Sequence, residues 1–173
     1  MLTAAHFIFG TAALTVATMA AVQDIRERLI ANRLVVLLLA AAVPHHLLTA
    51  TSVAHWLAIV GSALGLATVM FLVGFLLWQA GGLGGGDVKL LVASGFFVGI
   101  EGIAVLLIAT ALAGGALAIA YLLVSRLATM VIVPFVGPAC AGSGAPRPSI
   151  PYGVAIAAGF ACAVVPSLPL LVS

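Results

Sequence analysis

AHWLAIVGSALGLATVMFLVGFLLW, residues 54–78, contains no Asp, Glu, Lys or Arg. At about 1.5 Å of rise per residue, a helix of this length exceeds the roughly 30 Å of hydrocarbon in a bilayer. Within lipid the backbone has no water to bond, so such a run closes its hydrogen bonds internally and reads as a transmembrane helix. The rest of the chain agrees with this reading. Mean hydropathy is +1.38. With 65% hydrophobic and 6% charged residues, no segment is polar enough to form a separate soluble module. The bilayer is the solvent for this chain.

Working outward from residues 54–78, apolar segments fall at about 3–22, 34–50, 88–100, 102–124 and 151–171. The expected fold is therefore an all-α integral membrane protein, a bundle of about six transmembrane helices in one domain spanning residues 1–173. The fourth segment is short, roughly 20 Å as a helix, and Glu101 marks its turn into the fifth. The first segment lacks a basic leading region, so it reads as a retained span rather than a signal peptide. Residues 127–137 are too few to cross; they read as an interfacial or re-entrant helix, or as an extension of the fifth span. Residues 138–149, rich in Pro, Gly, Ser and Ala, read as a loop.

The six basic residues fix the orientation. Arg26, Arg28 and Arg33 follow the first segment, Lys89 follows the third, and Arg126 and Arg147 follow the fifth. With six spans all of them fall on one side, which the positive-inside rule makes cytoplasmic, with both termini outside. The same parity puts Asp24 and Asp87 on that side and Glu101 on the other.

Several function classes recede at this point. A net charge of +2 without a basic, aromatic-studded patch argues against nucleic acid. Cys140 and Cys162 form no CxxC pair and read as small buried hydrophobes. His45, His46 and His55 lie on the outer side without thiolate or carboxylate partners, so interfacial histidines are expected there and no metal site. His6, within the first span, is expected to hydrogen-bond inside the bundle. Gly61 and Gly65 make a GxxxG pair, expected to serve internal helix packing. Trp56, Trp78 and Tyr152 sit at segment ends, as interfacial anchors do. No cofactor is expected.

The chain has only two aspartates, and both lie where an apolar run meets a polar turn. Asp24 closes the first span and opens the polar stretch Asp24–Arg33. Asp87 ends Gly81-Gly82-Leu83-Gly84-Gly85-Gly86-Asp87 and starts the next helix, at the positive end of its dipole. An acid beside the bilayer is costly and marks function. Two carboxylates that share a proton can hydrolyse an amide without a metal or a nucleophilic side chain. One takes a proton from water while the other hydrogen-bonds the scissile carbonyl. Glu101 is on the wrong side to replace either, and Glu27 lacks a rigid context. The glycine-rich run is not a phosphate loop, because Lys89 follows Asp87 by two residues instead of completing the Gly-Lys-Ser/Thr pattern.

Gly84-Gly85-Gly86-Asp87 fits the GxGD pattern of membrane aspartyl proteases, and Asp87-Val88-Lys89-Leu90-Leu91 resembles its continuation in the type IV prepilin peptidase family. Asp24 with Ile30-Ala31-Asn32 resembles that family's first-aspartate segment, with Ala31 where proline is usual. The segment from Pro151 to Ala157 resembles the start of its last span. The resemblance covers nearly the whole chain. It implies an aspartic endopeptidase that removes the short basic leader of prepilin or pseudopilin precursors at the cytoplasmic face of the bacterial inner membrane. Asp24 and Asp87 would be catalytic, with Gly84, Gly86, Lys89 and Asn32 shaping the site or binding substrate. The cytoplasmic cysteine-bearing insert of longer members is missing, so no N-methyltransferase activity is expected, as in the short forms that serve Flp-type tight-adherence pili. The competing readings are a presenilin-like protease for other membrane substrates, and a proton- or ion-coupled transport subunit using the aspartates as a relay.

Overall fold

The computed structural model describes residues 2–132 and 152–167. It is helical throughout, with no strand among the described residues. Helix α1 spans Leu2–Glu27, α2 Asn32–Thr49, α3 Val53–Gln79, α4 Gly85–Ile132 and α5 Tyr152–Val164, the last followed by a 3-10 turn at Val165–Ser167. Four of these helices are long and apolar enough to cross a membrane, and α5 is a shorter apolar helix.

Helix α4 is two helices joined at a break. Gly99 has φ 62° and ψ −166°, a combination that essentially only glycine adopts. Side-chain neighbours show that the chain reverses there. Phe97, just before the break, meets Phe160 near the end of α5. Past the break, Leu106 and Thr110 lie against Gly159, and Gly114 lies against Ala155 and Tyr152 at the start of α5. The second half of α4 thus runs back antiparallel to α5. The turn sits at Gly99 rather than Glu101, two residues earlier than expected, because glycine alone tolerates the reversal. Counting the halves of α4 separately and α5 as a shorter traverse, the bundle is compatible with about six spans.

Packing follows membrane rules, in which small residues let helices approach closely. Ala13, Ala17 and Ala20 form a fully buried stripe on α1. The core adds Leu34, Leu38 and Ala42 from α2, Leu90, Ala93 and Phe97 from α4, and Ile156 and Phe160 from α5. Helix α3 leans chiefly on α4, with Val88 filling the space at Gly74 and Met70 that at Gly95. Large apolar side chains such as Val69, Leu72 and Leu76 remain exposed, as lipid-facing residues should. Hydroxyls on those surfaces bond back to their own helix: Thr15 donates to the Thr11 carbonyl at 2.8 Å and Thr68 to that of Leu64 at 2.8 Å.

Five expectations change. Helix α1 continues to Glu27, so Asp24 lies within its last turn rather than opening a loop. A methyl placed on Gly61 or Gly65 would meet nothing within 4 Å, so the GxxxG pair faces outward instead of packing internally. Cys162 is exposed, not buried, because α5 turns that side away from its neighbours. Among the described residues, His6 meets the ring of His45 edge-on, with centroids 5.3 Å apart, rather than through a hydrogen bond. His46 is buried rather than interfacial. Its Nε2–H donates to the Phe96 carbonyl at 2.9 Å, whose ordinary helical partner would be the Ile100 amide beyond the break. Residues 127–132 continue α4. The loop 138–149, Cys140 and Arg147 lie outside the described residues.

Candidate active site

The turn carrying the glycines is built by backbone bonding. Gly81 takes φ 75° just past the end of α3. Its amide donates to the Trp78 carbonyl at 3.0 Å, and the Gly82 amide donates to that of Leu77 at 2.9 Å. This is a Schellman termination, which needs a left-handed residue where Gly81 stands. Four residues after Gly81, α4 starts. Gly84 is its N-cap residue, accepting from the Val88 amide at 3.1 Å. Asp87 is the third helical residue, and its carboxylate bonds back to the Gly84 backbone, the acid half of a capping box.

That geometry explains the first glycine of the GxGD pattern. A methyl on Gly84 would come within 2.7 Å of Asp87 Oδ2, closer than any real contact. The second glycine serves another element. A methyl on Gly86 would stand 3.2 Å from Ile30 Cβ, so glycine lets the α1–α2 connection lie against the start of α4. Asp87 is buried at 9% exposure, and its Oδ1 has no hydrogen-bond partner.

Asp24 reaches the same place from the far end of α1 and is buried at 6% exposure. Its Oδ2 accepts the Gly153 amide at 2.8 Å. Gly153 is the second residue of α5, so Asp24 faces the unpaired amides and positive dipole end of that helix. Here too glycine is required, since a methyl at 153 would lie 2.9 Å from both Cβ and Oδ2 of Asp24. The Asp24 and Asp87 carboxyl groups are within electrostatic reach of each other. Each aspartate is therefore buried at a helix N-terminus and packed against its own glycine.

The remaining candidates form a polar rim. Lys89 Nζ donates to Asn32 Oδ1 at 3.1 Å, joining the starts of α4 and α2 on the exposed side. Gln23 Nε2 donates to Glu27 Oε2 at 2.7 Å, while Gln23 Oε1 accepts the Ala31 amide at 3.2 Å. Ala31 has φ −67° and ψ 132°, angles that proline also adopts. Alanine in place of the proline usual in the resembled family thus keeps a proline-compatible conformation and adds one amide, used by Gln23. Sequence reasoning missed Gln23 and Gly153. Gly153 entered only as part of the Pro151–Ala157 segment that resembles the start of the family's last span, with no role of its own. No three His, Cys, Asp or Glu among the described residues are grouped to hold a metal.

A family model described as the type IV leader peptidase family matches residues 11–119. The match takes in both aspartates, the glycine turn and the break at Gly99. No curated protein and no solved structure matches the chain.

Proposed function

Because this chain belongs to the type IV leader peptidase family, we propose that it is a membrane aspartyl endopeptidase acting through Asp24 and Asp87 on prepilin or pseudopilin precursors. The observation that carries the reading is the pair itself: two buried carboxyl groups from different helices, within electrostatic reach, one with an unpartnered oxygen.

Two carboxylates so placed repel, and one shared proton relieves the repulsion. The ionised member takes a proton from water as the water oxygen attacks the scissile carbonyl. The protonated member donates to the developing oxyanion. When the tetrahedral intermediate collapses, a hydroxyl proton returns to the carboxylate that had donated, and the amine leaves with the proton taken from water, so the singly protonated pair is restored. The pair titrates as a unit, so the roles belong to the dyad. Gly84 and Gly86 hold Asp87 and the α1–α2 connection in place. Asn32 and Lys89 form the rim over which a peptide enters. The charges of Arg26, Arg28, Arg33 and Lys89 support a position for this rim at the cytoplasmic face of the inner membrane, where the short basic leader of a precursor would be presented. The precursor's own helix stays in the bilayer beside the bundle.

Co-expression with candidate prepilins, read by gel shift for leader removal, tests this directly. Asp24→Asn and Asp87→Asn are each expected to abolish processing at unchanged protein level, while Glu27→Gln retains it. Processing by both aspartate variants, or its loss in Glu27→Gln alone, would remove the dyad assignment.

A further inference from the structure

All four histidines of the chain gather at the end of the bundle opposite the aspartates. His6 and His45 meet edge-on with centroids 5.3 Å apart, His45 and His46 at 5.8 Å, and His45 stacks on Phe97 at 4.6 Å. His55, at the start of α3, takes the Thr51 hydroxyl on its Nδ1 at 3.1 Å. Beside this cluster lies a cavity of about 660 Å³ between α1, α2, the Gly99 turn and the end of α5, a size suited to a small-molecule ligand. Its polar wall comprises His6, His45, Thr49 and Glu101, and its apolar wall includes Val98 and Val105.

The charge balance of this cavity is unusual. Among its described lining residues Glu101 is the only formally charged one, and none is Lys or Arg. The described basic residues lie at the aspartate end, so none of them stands beside Glu101. A carboxylate left alone at a membrane surface favours a cationic partner. With no third metal-type donor grouped nearby among the described residues, the site suits a monovalent cation bearing N–H donors rather than a divalent metal. Val105 on the apolar wall is 46% exposed, which suits an amphiphile.

We propose that this cavity binds the headgroup of a zwitterionic phospholipid carrying a primary ammonium, as in phosphatidylethanolamine. The ammonium is held by the Glu101 carboxylate and the Thr49 hydroxyl oxygen. The phosphate lies toward the imidazole N–H groups, and the acyl chains run along Val98 and Val105. The site is separate from the aspartate pair and does not depend on the peptidase reading.

The test is lipid retention by the purified full-length protein, measured by native mass spectrometry in mixed micelles. These contain equal phosphatidylethanolamine, phosphatidylglycerol and phosphatidylcholine. Wild type is expected to retain the ethanolamine lipid over the glycerol lipid by about fivefold, the size of one partly exposed ion pair. Phosphatidylcholine, which has the charge but no N–H donor, is expected to fall below it. Glu101→Gln, an isosteric change at an exposed position, is expected to bring the preference to about one, while Thr49→Val lowers it. Precursor cleavage by Glu101→Gln should be unaffected. Equal retention of the three lipids by wild type, or an unchanged preference in Glu101→Gln, overturns the proposal. Displacement of the lipid by an equal concentration of free phosphoethanolamine would overturn the lipid assignment in favour of a soluble ammonium ligand.

Discussion

At the scale of single residues, the aspartates depend on glycines that touch them. Gly153 both donates its amide to Asp24 and leaves room for it. Gly153→Ala would press a methyl against the Asp24 carboxylate, and an error of about 1 Å in a catalytic group can cost on the order of 100-fold in rate. Leader removal should therefore fall by roughly that factor, with helical content by circular dichroism retained. Processing at the wild-type rate would show that Asp24 needs no help from α5. The rarity of aspartate made Asp24 and Asp87 legible in the sequence, because an acid is costly where its neighbours are apolar. The role of Gly153, by contrast, was not legible. It depends on a contact across 129 positions of chain, which no local pattern encodes. Cys162 and the Gly61/Gly65 pair misled for a related reason: an apolar helix looks alike on its lipid and protein faces, since both call for apolar or small residues.

At the scale of elements, two connections set the geometry. The first is the reversal at Gly99, which brings the second half of α4 back beside α5. An alanine there would be forced into a region costing about 1–3 kcal/mol. Gly99→Ala should lower the melting temperature in detergent by roughly 2–4 °C for each kcal/mol. It should also reduce processing, since the misplaced half of α4 supports the helix that holds Asp24. An unchanged melting curve would mean that the break is not fixed by residue 99. The second connection is the α1–α2 loop, where Ala31 already has a proline-compatible φ of −67°. Ala31→Pro restricts the unfolded chain, worth about 0.4–1 kcal/mol, but removes the amide bonded to Gln23, worth about 0.5–1.5 kcal/mol. These nearly cancel. The variant is expected to melt within a few degrees of wild type and to process normally, and loss of processing would show that the Gln23 bond positions the site. The helices themselves were legible as apolar runs, but their ends were not. Helix α1 outran its expected boundary by five residues, from 22 to 27, because polar residues such as Gln23 and Glu27 bond to each other along the same helix.

At the scale of the whole molecule, the two ends of the bundle differ in kind. Arg26, Arg28, Arg33 and Lys89 surround the aspartate end, and the second half of α4 returns toward it before reaching Arg126. The other end carries the histidines, Glu101 and the Gly99 turn. Such a separation is what the positive-inside rule needs, and it favours a cytoplasmic aspartate end. The orientation can be checked without any substrate. In a background where Cys140 and Cys162 are replaced by serine and alanine, Glu101→Cys should react with a membrane-impermeant maleimide on intact cells. Arg28→Cys should react only after the membrane is opened. The reverse pattern would put the aspartates outside and take the proposed dyad away from any leader presented in the cytoplasm. Labelling of both positions in intact cells would mean that the two ends do not lie on opposite faces, contrary to the antiparallel return of α4 along α5. Orientation and chemistry are thus separable: the maleimide pattern reports which face the pair occupies, and the aspartate variants report what the pair does there.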